Sequence, residues 1–214
     1  TAFELGIPLM ILDRPNPNGF YVDGPVLEPE YKSFVGMQPI PVVYGMTMAE
    51  YAMMIAGEGW LSPKANRRFD YYRTAENSAD TPFHFQVIKC LNYTHESLYE
   101  LPVKPSPNLP EMQSVYLYPS TCFFEGTVVS VGRGTDKPFQ YIGYPGSPVG
   151  EIVFTPVSKP GAPSPPHQNV KCRGFDVTDH IKNPSNLNKI DLQWLILLMP
   201  LIVMPPLIYI FWLV

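Results

Sequence analysis

Cysteine and histidine are sparse: Cys90, Cys122 and Cys172 are the three cysteines, and His84, His95, His167 and His180 the four histidines, of a 214-residue chain. An odd number of widely spaced cysteines gives neither a zinc pattern nor a disulfide framework, and the histidines have no metal-ligand spacing. No metal and no cofactor are expected. Cys122 sits in an apolar run and reads as a buried thiol, not a nucleophile. Charge is scarce as well, at 16% of residues with a formal net charge of -4. Lys and Arg are scattered without a basic block, so nothing electrostatic points to nucleic acid as a partner. No Gly-x-Gly-x-x-Gly follows a strand at a helix start, and Gly132-Arg133-Gly134 does not complete one, which counts against a nucleotide-binding α/β protein.

Proline is abundant instead, with 26 residues beside a 45% hydrophobic content that suffices for a core. The prolines sit among aromatic and β-branched residues in non-repeating sequence, which argues for long ordered loops over disorder. The length allows one or two domains.

Taken in order, residues 1–6 read as a helix end. Residues 7–12 (Ile-Pro-Leu-Met-Ile-Leu) are a short apolar run of the kind buried on both faces of a parallel sheet. Residues 20–43 form a proline-rich connection without periodicity, longer than usual and suited to a functional loop. Thr47-Met-Ala-Glu50 has the form of a capping box, after which Met48, Tyr51, Ala52 and Ile55 are expected to line a core face until Gly57 and Gly59. Residues 64–81 read as a solvated polar segment, although its interleaved arginines and tyrosines can stack on sugars or bases. Residues 83–90 alternate as a strand, and residues 112–124 as one helix or two short ones broken near Pro119. A β-type run at 127–131, a closing strand of the same sheet at 139–142, a strand at 151–156 and a helix start at 186–195 complete the pattern. Residues 192–214 carry no charge and are long enough to cross a hydrocarbon core of about 30 Å. Pro200, Pro205 and Pro206 and the lack of a cationic flank count against a membrane span.

Three stiffened loops hold the candidate binding groups. Asp13-Arg14-Pro15-Asn16-Pro17-Asn18-Gly19 follows the first strand, where open α/β sheets place ligand loops. Pro105-Ser106-Pro107-Asn108-Leu109-Pro110 holds Ser106 and Asn108 between prolines that pre-set φ. Residues 118–139 run from Tyr118 through Glu125-Gly126 to Gly132-Arg133-Gly134-Thr135, a cation between two residues without Cβ. That loop suits an anionic or polyhydroxylated ligand, or equally a tight turn whose arginine pairs with a structural carboxylate. Asp13 and Arg14 can likewise pair and cap a turn.

These three segments, in this order and with Tyr44-Gly-Met-Thr-Met-Ala-Glu-Tyr51 between the first two, resemble the NamZ-type exo-β-N-acetylmuramidases, bacterial glycoside hydrolases once catalogued as a domain of unknown function. The resemblance implies an α/β fold: part of a Rossmann-like parallel-sheet domain over residues 1–143, then the start of a smaller α+β domain over 144–191. The family continues with a charged amphipathic helix, so residues 192–214 read as an aberrant apolar tail without a packed place. The implied activity is release of a non-reducing terminal N-acetylmuramic acid from peptidoglycan fragments, with a muramyl saccharide as partner and a periplasmic or extracytoplasmic setting. Arg14, Asn16, Asn108, Tyr118, Arg133 and Thr135 are the implied substrate-binding residues, with Arg14, Asn16, Asn108 and Arg133 expected to converge in one cleft. The family's Glu-His-Gly glutamate is absent from these residues, so the fragment is expected to be weakly active or inactive. Glu125 is the fallback acid. A carbohydrate-binding or inactive remnant of a glycoside hydrolase is the alternative.

Overall fold

The computed structural model describes residues 1–74 and 85–198. Helices and strands alternate in it as an α/β chain, divided into two units: Thr1–Gly19 with Gly45–Ser97, and Phe20–Tyr44 with the chain from Leu98 onward.

The first unit is built on a parallel pair. Helix α1 (Ala2–Leu5) ends at Gly6, whose φ of 70° is a left-handed cap that glycine adopts without Cβ strain. Strand β1 (Leu9–Leu12) then pairs in parallel with β4 (Phe85–Ile88), Leu9 opposite Phe85 and Leu12 opposite Ile88. The expectation of burial on both faces is corrected, because Met10 and Leu12 are exposed and only Leu9 and Ile11 turn inward. Helix α2 (Met48–Gly57) starts at the anticipated capping box: the Glu50 amide donates to Thr47 Oγ1, and the Thr47 amide donates to Glu50 Oε2 at 2.9 Å. Its buried residues are Ala49 and Ala56, while Met48, assigned to the core from its spacing, is exposed. Small residues let the helix lie close, and a methionine stem is not needed to fill the gap.

Residues 63–74 form helix α3 (Pro63–Thr74) where only a solvated segment was expected. Ala65 and Phe69, four apart, supply its buried stripe and pack with Phe3 and Ala56. The Phe3 ring meets Phe69 edge-on at 5.6 Å and Phe85 at 5.3 Å.

The second unit holds two antiparallel sheets. Within the proline-rich 20–43 connection, β2 (Asp23–Val26) pairs with β3 (Pro41–Val43) through an irregular register. Strand β5 (Tyr141–Tyr144), expected to close the parallel sheet, instead lies antiparallel to β7 (Cys172–Asp176), which also pairs with β6 (Ile152–Phe154). The run at 127–131 is reduced to a single bridge between Ser130 and Gly143. Gly143 and Gly174 face each other in the β5–β7 ladder. A Cβ on Gly143 would lie 2.8 Å from Gly174 Cα, and one on Gly150 would lie 2.6 Å from the Gly174 amide nitrogen.

Helix α4 (Met112–Thr121) contains Pro119 and passes into a 3₁₀ turn at Cys122–Gly126, so the helix is tightened after the proline instead of broken at it. Leu117, Phe124, Val129, Val131, Phe139 and Ile142 form the core. Helix α5 (Gln193–Leu198) begins later than the sequence suggests. Trp194 and Leu198 are buried in that core, which corrects the expectation of an unpacked run for its first seven residues. The rest of that run, and His84 and Phe83, lie outside the described residues. Among the described residues no helix is long and apolar enough to cross a membrane, and no group of His, Cys, Asp or Glu is arranged to hold a metal.

Candidate functional site

In the first unit the chain leaves β1 at Asp13, and this carboxylate is consumed at the start of α2. Asp13 Oδ2 accepts from the Thr47 hydroxyl at 2.7 Å and Oδ1 from the Ala49 amide at 3.0 Å. A helix N-terminus offers unpaired amides and a positive dipole end, so a carboxylate there is held well. Asp13 thus caps the helix and does not pair with Arg14, whose side chain is exposed.

Asn16 is half-buried and its amide is committed to the loop. Nδ2 donates to the Met46 carbonyl at 2.9 Å, and Oδ1 accepts from the Asn18 amide at 2.9 Å. The Tyr93 hydroxyl accepts from the Asn16 amide at 3.2 Å and lies 3.1 Å from its carbonyl. Burial raises the Tyr93 phenol above its ordinary range, against the opposing Asn16 contact. His95 reaches the Gly19 carbonyl through Nδ1 at 2.9 Å and Glu50 through Nε2 at 3.0 Å. Tyr93 and His95 were not singled out from the sequence as supports of this loop. Their Tyr-x-His spacing directly after a strand was the available signal.

In the second unit Tyr118, Glu125 and Arg133 come together around Phe139. The two glycines flanking Arg133 make this possible. Gly132 and Gly134 have φ of 76° and 81°, and a Cβ on either would fall within about 2.7 Å of backbone or proline atoms. Arg133 Nη2 donates to Glu125 Oε2 at 2.7 Å, and its guanidinium carbon stands 5.4 Å from the centre of the Phe139 ring. Tyr118 also packs against that ring, with centroids 5.0 Å apart. Arg133 Nε is buried and has no hydrogen-bond partner among the described residues.

Two further observations mark the cluster. Phe139 has φ of 58°, an outlier for a bulky residue of the kind found where surrounding structure over-determines the backbone. The Tyr118 phenol is pushed up to about 12, first by burial and then by the Glu125 charge, with Arg133 opposing. Tyr118 therefore stays a neutral donor across the physiological range. Thr135 closes the loop: its hydroxyl donates to the Gly132 carbonyl at 2.6 Å and accepts from the Lys137 amide at 3.0 Å. Asn108 donates from Nδ2 to the Gly161 carbonyl at 2.9 Å and so ties the proline loop to its neighbour.

The structure thus assembles Tyr118, Glu125 and Arg133, with Thr135 shaping the loop, in the second unit. Arg14 and Asn16 share a loop of the first unit. Chemically, the second-unit cluster presents a partly exposed guanidinium and a neutral phenol, which suits an anion carried on a sugar framework.

Comparison with known proteins gives this arrangement its relatives. The family model for the N-terminal part of exo-β-N-acetylmuramidase NamZ matches residues 1–113, and that for its C-terminal part matches residues 116–205. The peptidoglycan β-N-acetylmuramidase NamZ of Bacillus subtilis (strain 168) is 43% identical over 150 residues, 68% of this chain and 31% of the relative. A DUF1343 family protein of Bacteroides fragilis NCTC 9343, solved at 1.30 Å, is 44% identical with a TM-score of 0.78, over 95% of this chain and 53% of that one. A second protein of that family and organism, at 24% identity and a TM-score of 0.64, shares the fold over 82% of this chain and 45% of its own. The chain spans about a third of the curated relative it matches and about half of the solved ones. With both family models together reaching from residue 1 to residue 205, the chain belongs to the NamZ exo-β-N-acetylmuramidase family.

Proposed function

We propose that this chain serves hydrolysis of the β-glycosidic bond joining a non-reducing terminal N-acetylmuramic acid to N-acetylglucosamine in peptidoglycan fragments, outside the cytoplasm. The observation that carries this reading is the partly exposed Arg133 guanidinium, set on a loop between two glycines and beside the neutral phenol of Tyr118. Muramic acid differs from glucosamine by a lactyl carboxylate, and a guanidinium recognises a carboxylate by its fork of parallel donors. Glu125 occupies one Nη position of this guanidinium. A substrate carboxylate competes for the same guanidinium, and its arrival frees Glu125 next to the sugar. The Tyr118 hydroxyl, kept protonated by burial and by Glu125, donates to a sugar oxygen.

Glycoside hydrolysis needs a carboxylic acid for the leaving oxygen and stabilisation of an oxocarbenium-like transition state. Glu125, once displaced, is the acid this cluster offers. The test is release of N-acetylmuramic acid from a synthetic β-muramide by the parental chain and by Arg133→Lys and Glu125→Gln. Arg133→Lys is expected to raise KM by about tenfold or more through loss of the fork. Glu125→Gln is expected to lower kcat by roughly 10²–10⁴. Release undiminished in Glu125→Gln would move the acid to another residue.

A second reading is binding without turnover, favoured by the engagement of Glu125 with Arg133. It predicts saturable binding of a muramyl disaccharide by the parental chain with no sugar release.

A further inference from the structure

A cavity of about 310 Å³ opens in the second unit between α4 and the segment of residues 180–191, and it shares no lining residue with the Tyr118–Glu125–Arg133 cluster. Its wall is a built loop. The His180 ring and Asp191 carboxylate join the two ends of the segment at 2.8 Å between Nε2 and Oδ2. The Asp191 amide donates to Ser120 Oγ on α4 at 2.9 Å, and the Ile190 amide to Asp23 Oδ2 at 2.6 Å. Inside the segment, Asn183 Oδ1 accepts from the Ser185 amide at 3.1 Å and caps a 3₁₀ turn at Pro184–Asn186. Behind the junction, the Trp194 ring stands 4.3 Å from the His180 ring. A rim whose two ends are joined and whose C-terminal end is tied to Ser120 and Asp23 keeps more of its shape before a ligand arrives, which lowers the ordering cost of binding.

The lining combines three kinds of group. Ile181 and Leu187, both half-buried, supply an apolar surface, Asn183, Asn186 and Asn188 supply amide donors and acceptors, and Lys182 and Lys189 supply two cations. The one carboxylate, Asp191, is already engaged by His180 and by the Gln193 amide at 2.8 Å. The mouth is therefore cationic where it is free to bind. Carboxamides match the paired donors and acceptors of sugar hydroxyls, and an apolar floor matches the C–H face of a pyranose. Ligand pockets run from about 300 to 1,000 Å³, so this one suits a single ring.

We infer that this cavity is a second saccharide site, which binds one carboxylate-bearing monosaccharide unit through Lys182 and Lys189 and the asparagine amides. The choice of sugar rests on the proposed function; the site itself rests on the cavity and its lining. A sugar held here would anchor a glycan fragment independently of the Arg133 cluster.

The experiment is an amide-resolved NMR titration of the whole chain with N-acetylmuramic acid, N-acetylglucosamine and D-lactate, beside the β-muramide release assay. N-acetylmuramic acid is expected to shift amides of residues 180–191, with N-acetylglucosamine and D-lactate each at least tenfold weaker at the same signals. Lys182→Gln/Lys189→Gln should weaken the muramic acid by about tenfold or more and leave the thermal midpoint in place, since both lysines are exposed. Arg133→Lys should leave those shifts unchanged. Absence of shifts at 180–191, equal affinity for the neutral sugar, equal affinity for lactate alone, or full affinity in the double variant would each overturn the inference. Loss of release with the shifts intact would count against the proposed hydrolysis and leave this site standing.

Discussion

Replacing Asp13 by alanine tests whether one carboxylate fixes the loop of Arg14 and Asn16 to the start of α2. The variant loses two hydrogen bonds, from the Thr47 hydroxyl and the Ala49 amide. Hydrogen bonds to charged groups contribute about 1.5–3 kcal/mol each, and a carboxylate at a helix N-terminus adds about 0.3–1 kcal/mol. Asp13 is only half-buried, so water replaces part of this, and a net loss of about 2–3 kcal/mol is expected. The capping box of Thr47 and Glu50 remains in the variant, which limits the damage to the first turn. Because the chain has two units, a single melting midpoint mixes their responses, and the decisive measurement is hydrogen exchange of the Ala49 amide. Exchange should accelerate by about 30-fold or more, since 1.4 kcal/mol is a factor of ten. Asp13→Asn keeps an acceptor for one partner and should lie between the two. Unchanged Ala49 exchange in Asp13→Ala would refute the capping role and return Asp13 to a surface position.

Other perturbations act at defined places. The Gly19 carbonyl and then Glu50 hold His95 above the ordinary imidazole range, and this stabilisation is full below about pH 6.5 and lost as pH rises through the raised folded value. Burial works against the Glu50 charge, but the Thr47 amide and His95 outweigh it and hold the carboxyl below its ordinary range, so its contribution is lost as pH falls through that lowered value. The first unit should therefore be most stable between these limits; His95→Gln should flatten the alkaline limb in pH-dependent denaturation, by about 0.2–1 kcal/mol for so exposed a pair. Gln140 is wholly buried with neither amide atom paired among the described residues, and Gln140→Met should raise the urea midpoint of the second unit by relieving a cost of about 1–3 kcal/mol; a lowered midpoint would show that the amide has a partner in solution. Gly174→Ala places a Cβ 2.6 Å from Gly143 Cα and should cost more than about 3 kcal/mol, read as loss of soluble protein.

The parts legible in the sequence were those set by neighbours along the chain. Thr47 and Glu50 are three apart and needed nothing else to form their box, and the apolar run before Asp13 became a parallel strand beside Phe85–Ile88. The loop around Arg133 was legible because two glycines mark a backbone that other residues avoid. What the sequence concealed depends on distant partners. Strand β7 reads Cys-Arg-Gly-Phe-Asp, with no alternation to betray it, and exists because its glycine admits close approach to β5 and β6. Helix α3 is polar apart from the Ala65 and Phe69 stripe, which has meaning only once Phe3 is there to receive it. Met48 shows the reverse error: a helical spacing placed it inside, while the alanines beside it carry the contact. At the site, Arg133 was legible as a cation on a stiff loop. That it would pair with a structural carboxylate was one of the two readings the sequence offered, and the bond to Glu125 bears it out; that Glu125 is that carboxylate and that Phe139 supports the guanidinium were not legible, since both follow from how the 3₁₀ turn and Phe139 are folded back on it.

The meeting of Gly143, Gly150 and Gly174 also determines how the chain records change. At these positions every other residue brings a side chain into backbone atoms, so the chemical character of the replacement has little bearing on the outcome. In a library scored once for abundance and once for sugar binding, variants at 143, 150 and 174 should lose both signals in proportion, whatever residue is introduced. Variants at Arg133, whose side chain is partly exposed, should keep abundance and lose binding. The three glycines thus supply an internal ruler for folding loss, against which a defect confined to ligand recognition stands out without any knowledge of the ligand.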